Sequence, residues 1–215
     1  MIDAVVFDMD GVLVDSEHLW DEVREQLARE RGGTYGPEQQ RAMMGMSSPE
    51  WSAYMHEAVG LPDSPEEITA LVLAGMRERY AGDPPLLPGA VAAVERLAAE
   101  WPLAIASSSN RELIDAVLEH TPLGGLFGET VSSEEVARGK PSPDVYLEAA
   151  RRLGVDAVRC GAVEDSHNGI RSAKAAGMRV VAVPNPHYPP DDEALALADV
   201  TVPSIGELQV EHFAV

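Results

Sequence analysis

Ala4-Val5-Val6-Phe7-Asp8-Met9-Asp10-Gly11 drives a short apolar run straight into two carboxylates spaced two apart, with a glycine behind them. A buried strand that ends this way delivers both acids to the edge of a sheet. A period of two sends their side chains to the same side. Two carboxylates held that close repel each other. They persist when a divalent cation sits between them or when one keeps a proton. A metal beside a poised acid is the equipment for phosphoryl transfer.

The rest of the chain is read outward from this strand. Its 215 residues suffice for one large domain, or for a core domain with a smaller one inserted. Apolar residues make up 45%, enough for a sizeable core without disulfides. Cys160 is the only cysteine, which excludes an intrachain disulfide and any cysteine-rich zinc site; in its apolar stretch it reads as a small buried hydrophobe. The net charge of −20 argues against nucleic acid and against an anionic membrane surface as partners. It also repels phosphorylated substrates at long range, so a phosphate site must be locally cationic. Lysine occurs only at Lys140 and Lys174. The first strand begins almost at Met1, leaving no room for a usual signal peptide, and no apolar run approaches the ~20 residues of a membrane span. A cytoplasmic protein is expected.

Residues 2–7 are predicted as the first strand and 15–31 as a charged amphipathic helix with Leu19, Trp20, Val23 and Leu27 on one face. Helical pieces broken by Gly45, Ser48-Pro49, Gly60-Leu61-Pro62 and Ser64-Pro65 fill 37–81, and Asp83-Pro84-Pro85 reads as a linker. From there helices at 89–99, 111–119, 143–153 and 168–176 alternate with strands at 103–106, 129–132, 159–163 and 179–183. A short edge strand follows at 199–202. Such alternation implies right-handed crossovers and a mainly parallel sheet. The expected fold is α/β, a Rossmann-like three-layer core made of 1–14 and 87–215, with an all-helical cap, 15–86, inserted after the first strand.

Ligands of open parallel sheets sit at the carboxyl ends of the strands. Four such ends are expected to carry polar chemistry: Asp8-Met9-Asp10-Gly11, Ser107-Ser108-Ser109-Asn110, Gly139-Lys140-Pro141-Ser142-Pro143 and Glu164-Asp165-Ser166. Each alone has a plainer explanation as a turn, a helix cap or a solvated charge. Together and in this order, chance explains them poorly.

The set resembles the haloacid dehalogenase superfamily, in its branch with a small helical cap, and the resemblance covers essentially the whole chain. It rests on Asp8-Met9-Asp10-Gly11-Val12, Ser107, Lys140-Pro141 and Glu164-Asp165-Ser166. Leu13-Val14-Asp15-Ser16-Glu17, Ser142-Pro143-Asp144-Val145-Tyr146 and Gly169-Ile170 running to Ala175-Ala176-Gly177-Met178 extend it. The resemblance implies Asp8 as the nucleophile that forms an aspartyl-phosphate and Asp10 as the general acid and base. It implies Mg²⁺ held by Asp8, the backbone carbonyl of Asp10 and Asp165, with Glu164 as a ligand or just behind one. The Ser107 hydroxyl and the Ser108 amide would bind phosphoryl oxygens beside the N-terminus of helix 111–119, and Lys140 would neutralise charge on Asp8 and the transferring group.

Departures from relatives narrow the reaction. A dehalogenase needs no acid at the position of Asp10. Phosphonate-cleaving relatives use a cap lysine, and 15–86 contains none. β-Phosphoglucomutase places a histidine, a lysine and an arginine over the site. Here the corresponding stretches carry Trp20 and Met44-Gly45-Met46-Ser47-Ser48, with His18 out of register. Without those cations a bisphosphate intermediate is poorly held, so hydrolysis of a small sugar or polyol phosphate is favoured over mutase chemistry, with a catalytically silent binding protein as a further alternative. Cap residues expected near the substrate are Glu17, His18, Trp20, Met44, Gly45, Met46, Ser47 and Trp51. On the core side they are Asn110, Arg111, His167 and Asn168. Trp20, Met43 and Trp51 read first as cap core. The sequence leaves monomer and weak homodimer undecided.

Overall fold

β1 (Ala4–Phe7) is buried at all four positions, and its alternation decides how the molecule layers. Val5 and Phe7 point into one apolar layer with Val94, Leu97, Leu113 and Val117. Ala4 and Val6 point into the other, with Val145, Tyr146, Ile170 and Ala173. A strand buried on both faces belongs at the centre of a parallel sheet covered by helices on each side. The computed structural model describes residues 1–43, 46–82, 84–186 and 189–214. β1 lies there beside β2 (Leu103–Ser107) and β4 (Cys160–Glu164); β3 (Glu129–Ser132), β5 (Arg179–Ala182) and β6 (Val200–Thr201) complete the sheet, in the order β3-β2-β1-β4-β5-β6. All five neighbouring pairs are parallel. The second face is lined by Ala4, Ala104, Ala106, Ala162 and Ala182, small side chains that let the covering helices approach closely.

Those helices are α5 (Ala90–Ala98), α6 (Arg111–His120), α7 (Asp144–Leu153) and α8 (His167–Ala175), with a short α9 (Asp192–Leu195). Between β1 and β2 the chain builds α1 (Glu17–Arg31), α2 (Pro37–Met43), α3 (Ser48–Tyr54), a π-helical turn at Met55–Val59 and α4 (Pro65–Tyr80). Ser64 and Glu67 form a capping box at the start of α4, with Pro65 in its first turn. No strand falls within this stretch among the described residues. Its two ends meet: Val14 bridges Leu86 antiparallel, the Asp15 amide donates to the Pro85 carbonyl at 2.7 Å, and the Leu87 amide to the Leu13 carbonyl at 2.9 Å. Among the described residues no helix is long and apolar enough to cross a membrane.

Two differences from the sequence reading matter. Ile2 and Asp3 precede β1 rather than opening it. Lys140 does not leave a strand end: β3 stops at Ser132, a 3-10 turn (Ser133–Glu135) follows, and Lys140 lies in the loop before α7. Proline and glycine density around 139–143 marks a break, and the pattern alone does not say how far a strand lies upstream.

Candidate active site

The strand order reverses direction between β1 and β4, and both strands release acids there, which is where open α/β sheets take ligands. Asp8 follows β1; Glu164 ends β4 and Asp165 follows it. All three carboxylates are buried, and ligating oxygens of Asp8, Glu164 and Asp165 lie within 4.8 Å of one another. Burial pushes the Asp8 carboxyl up to about 8, with Lys140 pulling against it and Glu164 and Asp10 adding to it. Asp165 is also raised well above its usual value, by burial first and then by Glu164 and Asp8. Crowded anions of this kind call for a cation. An all-oxygen donor set suits a hard divalent ion such as Mg²⁺.

One cation is built in. The Lys140 ammonium, with 4% of its side chain exposed, lies 2.9 Å from Asp8 Oδ1 and 2.6 Å from Glu164 Oε1. Burial works against its charge, but Asp8 and Glu164 outweigh that and hold its pKa above the ordinary lysine value. Its ammonium also sits 5.1 Å from the centre of the Tyr146 ring. Glu164 is saturated: Oε1 accepts from Lys140 and, at 2.8 Å, from the Tyr146 hydroxyl. Oε2 accepts from the Asp165 amide at 3.0 Å and from the Ser166 amide and hydroxyl at 3.2 and 3.1 Å.

That carboxylate folds back over the first turn of α8, where a Cβ on Gly169 would overlap it. Because five donors fix Glu164, it has nowhere to go. Gly169→Ala should therefore destabilise the protein by about 1–3 kcal/mol, as overpacking does, read from the midpoint of chemical denaturation, and should weaken activity by displacing the partner of Lys140. An unchanged midpoint would show that Glu164 can move freely. Gly11, at φ +74°, is constrained similarly, since a Cβ there would run into the Asp165 carboxylate.

Asp10 is held from two sides, by the Ser16 hydroxyl donating to Oδ1 at 2.6 Å and the Ser109 hydroxyl donating to Oδ2 at 2.6 Å. Ser109 was visible in the sequence only as part of a polar cluster, and nothing in its spacing marks it as the partner of Asp10. Ser107 is fully buried; its oxygen accepts from the Ser109 amide at 3.0 Å and lies 3.4 Å from Asp10 Oδ2. Ser108 and Asn110 face an adjoining cavity together with Asp8, Asp10, Lys140 and Asp165. Asn110 Oδ1 accepts from the Ser48 hydroxyl of the helical insertion at 3.0 Å, and its amide donates to Glu134.

The cavity, about 140 Å³, is roofed by the insertion, through Glu17, Trp20, Met43, Met46, Ser48 and Trp51. That is well below the ~300–1,000 Å³ of clefts for drug-sized ligands, so a small ligand fits best. His167 and Asn168 also face it. Three expected neighbours lie elsewhere. Ser47 caps α3, where its hydroxyl and amide donate to Glu50 at 2.6 and 2.7 Å. His18 is exposed and 3.7 Å from Asp15. Arg111 is turned to the surface, bound to Glu135 and, at 2.7 Å, to the Thr130 hydroxyl. Met44 and Gly45 lie outside the described residues. Trp20, Met43 and Trp51 are buried cap core and also line the cavity. Glu17 is partly buried, and burial, with the Asp10 charge next, raises its pKa.

The sequence reading overlooked Arg24, which lines the same cavity from α1. Its guanidinium carbon sits 5.0 Å from the ring centres of both Trp20 and Trp51. The i, i+4 spacing Trp20-x-x-x-Arg24 places it one turn on from a cavity residue, and that is the available signal.

Compared with known proteins, residues 2–177 match the family described as haloacid dehalogenase-like hydrolase. The chain is 35% identical to the probable pseudouridine-5'-phosphatase of Drosophila melanogaster, over 97% of this chain and 92% of that protein. It is also 35% identical to hexitol phosphatase B of Escherichia coli K12, over 95% and 93%. The crystal structure of CbbY from Rhodobacter sphaeroides in complex with phosphate superposes with a TM-score of 0.88 at 28% identity, covering all of both chains.

Proposed function

The chain belongs to the haloacid dehalogenase-like hydrolases, and on that basis we propose that it hydrolyses a small phosphorylated metabolite, a sugar or polyol phosphate, through an aspartyl-phosphate. The observation that carries the reading is the buried cluster of Asp8, Glu164 and Asp165 around Lys140, open to a small cavity that Asp10 also lines. The relatives named as phosphatases, at 35% identity over nearly the whole chain, support it.

In this reading the residues take the following roles. An oxygen of the Asp8 carboxylate attacks phosphorus while the bond to the leaving oxygen breaks; Asp10 gives that oxygen its proton. Asp10 then takes a proton from the water that attacks the phosphorus of the acyl phosphate. Phosphate leaves and Asp8 is restored as a carboxylate. Ser16 and Ser109 hold the Asp10 carboxyl in place for both transfers. Lys140 offsets charge on Asp8, and Glu164 fixes Lys140. The Ser108 amide is the donor proposed for phosphoryl oxygens, because at the N-terminus of α6 the Arg111 amide already donates to Glu134 at 2.8 Å. Asp8 and Asp165, with the backbone of Asp10, are the groups proposed to hold Mg²⁺, because the oxygens of Glu164 are already engaged. The ion, when bound, supplies charge neutralisation to the transferring phosphoryl group.

Residues 15–86 are proposed to act as a cap that closes over the site and sorts substrates, flexing at the paired crossing of Val14 and Leu86. With Cys160 free and buried, a cytoplasmic location is proposed.

The test is phosphate release with Mg²⁺ from sugar and polyol phosphates, beside Asp10→Asn and beside chelator. Asp10→Asn should slow release by ~10²-fold or more, as expected for a lost general acid, and chelation should stop it. Glucose 1-phosphate, assayed for glucose 6-phosphate, tests the mutase reading. Arg24 gives that alternative its one favourable observation, since it is a cap cation facing the cavity. Isomerisation without release would replace hydrolysis as the function, and an unchanged rate in Asp10→Asn would remove that residue from proton transfer.

A further inference from the structure

Of the described residues lining the cavity, only Arg24 and Lys140 bring a lysine or arginine charge. Lys140 is consumed by Asp8 and Glu164. Arg24 is not. Its Nε is completely enclosed and has no hydrogen-bond partner, and among the described residues the guanidinium forms no ion pair with a carboxylate. Its guanidinium carbon instead lies 5.0 Å from the centre of each indole ring, Trp20 and Trp51. Those rings attract the cation through their faces and leave its in-plane N–H donors unspent.

A buried donor group without a partner is costly, by about 1–3 kcal/mol or more when charged. Arginine is tolerated in such a place when something else supplies the acceptors. Filling space in the insertion does not require it, because a leucine or methionine would pack against the two indoles without burying a charge. Glu17 and Asp21 act on Arg24 through space, yet neither pairs with it, and Asp21 is already bound by the Tyr35 hydroxyl at 2.7 Å. Asp8 and Arg24 line one cavity from opposite components, the sheet edge and the insertion. A ligand whose phosphate meets Asp8 thus shares its cavity with Arg24.

We propose that Arg24 reads a second anionic group on the substrate, a carboxylate or a second phosphate carried by the leaving group. This rests on the phosphatase reading above and narrows its substrate class from sugar phosphates at large to phosphorylated sugar acids or sugar bisphosphates. The planar guanidinium suits either anion in a bidentate fashion. Trp20 and Trp51 hold the guanidinium in place against their rings, so the spacing of the two anions becomes part of the selection.

The test separates binding from turnover. In Asp8→Asn protein, affinities for 6-phosphogluconate, fructose 1,6-bisphosphate, glucose 6-phosphate and sorbitol 6-phosphate are measured by calorimetry, with and without Arg24→Met. Arg24→Lys is run as the charge-conserving control. At least one doubly anionic ligand should bind more tightly than both neutral-tailed ones. Arg24→Met should weaken that ligand by roughly 10–150-fold, the range for one hydrogen bond to a charged group. It should leave the neutral-tailed ligands within about threefold, and Arg24→Lys should recover part of the loss. The carboxylate and bisphosphate arms decide between the two anions. Equal weakening of all four ligands, or no preference for a second anion in Arg24 protein, would overturn the proposal and make Arg24 a structural residue. If ligands bind with this pattern while active protein releases no phosphate, the hydrolytic reading falls and the second-anion reading stands.

Discussion

Asp8→Asn should abolish phosphate release, by about 10⁴-fold or more, the scale seen when a catalytic nucleophile is removed. The substitution is nearly isosteric. An amide at this position cannot attack phosphorus to form an acyl phosphate, and no other carboxylate is expected to take its place: Glu164 is tied to Lys140 and Tyr146, Asp10 is held by Ser16 and Ser109, and Asp165 is proposed to hold the metal. The fold should not suffer. Asp8 is one of three buried carboxylates crowded together, and its pKa is raised because burial and its acidic neighbours disfavour its charge. Neutralising it relieves repulsion, and Lys140 keeps Glu164 as its partner. The expected pair of results is therefore no turnover and an unfolding temperature equal to or above that of the parent protein. Residual turnover above about one per cent would move the nucleophile elsewhere; a collapse in stability would mean that the Asp8–Lys140 contact is structural first.

Lys140→Met should have the opposite signature and lose both properties. The methionine fills the stem's space but leaves Asp8 and Glu164 buried without their shared counter-charge. Breaking a buried pair by removing one partner costs roughly 3–5 kcal/mol, which for a chain of this size lowers the unfolding temperature by roughly 6–20 °C. Activity should fall with it, even at temperatures where the variant is fully folded, because the charge that offsets the attacking carboxylate is gone. Thermal unfolding followed by phosphate release at low temperature separates the two losses. A variant within a degree or two of the parent would show that the carboxylates shed their charge at little cost when the lysine is absent.

Most of the sheet was legible in the sequence because its signals are local. β1 announces itself by a buried run ending in Asp8 and Asp10, and β2, β4 and β5 by short β-branched or small-residue runs after helices. The acidic pair at Glu164-Asp165 could be read for the same reason: residues that leave neighbouring parallel strands must converge. Lys140 converges with them from a loop eight residues past the end of β3. Its position was foreseen through the resemblance, and the strand end assigned to it was not there. What stayed hidden depends on how the insertion rests on the core. Trp20 and Trp51 read as interior residues, which they are, but packing them together also seats Arg24 against both rings. Ser47 and Ser48 are neighbours in a loop, and only the capping geometry of α3 decides that Ser47 serves the helix while Ser48 reaches Asn110. Arg111 looked available at a helix start, and the acids of the next connection, Glu135 above all, take it.

The crossing of Val14 and Leu86 brings the two ends of the helical insertion together. Where it leaves and re-enters the core, its two backbones run side by side, joined by hydrogen bonds from Asp15 to Pro85 and from Leu87 to Leu13. A segment whose ends are already neighbours can be lengthened, shortened or exchanged without altering the register of any strand, provided the contacts of α4 and Ser48 with α6 and Asn110 are kept. Asp8, Lys140 and the acids of β4 all lie outside the splice, whereas Ser16, which holds Asp10, lies two residues inside it. A transplanted insertion that keeps the chain through Glu17 would thus carry a new specificity onto unchanged chemistry, and one cut at Asp15 would sever the acid from its support.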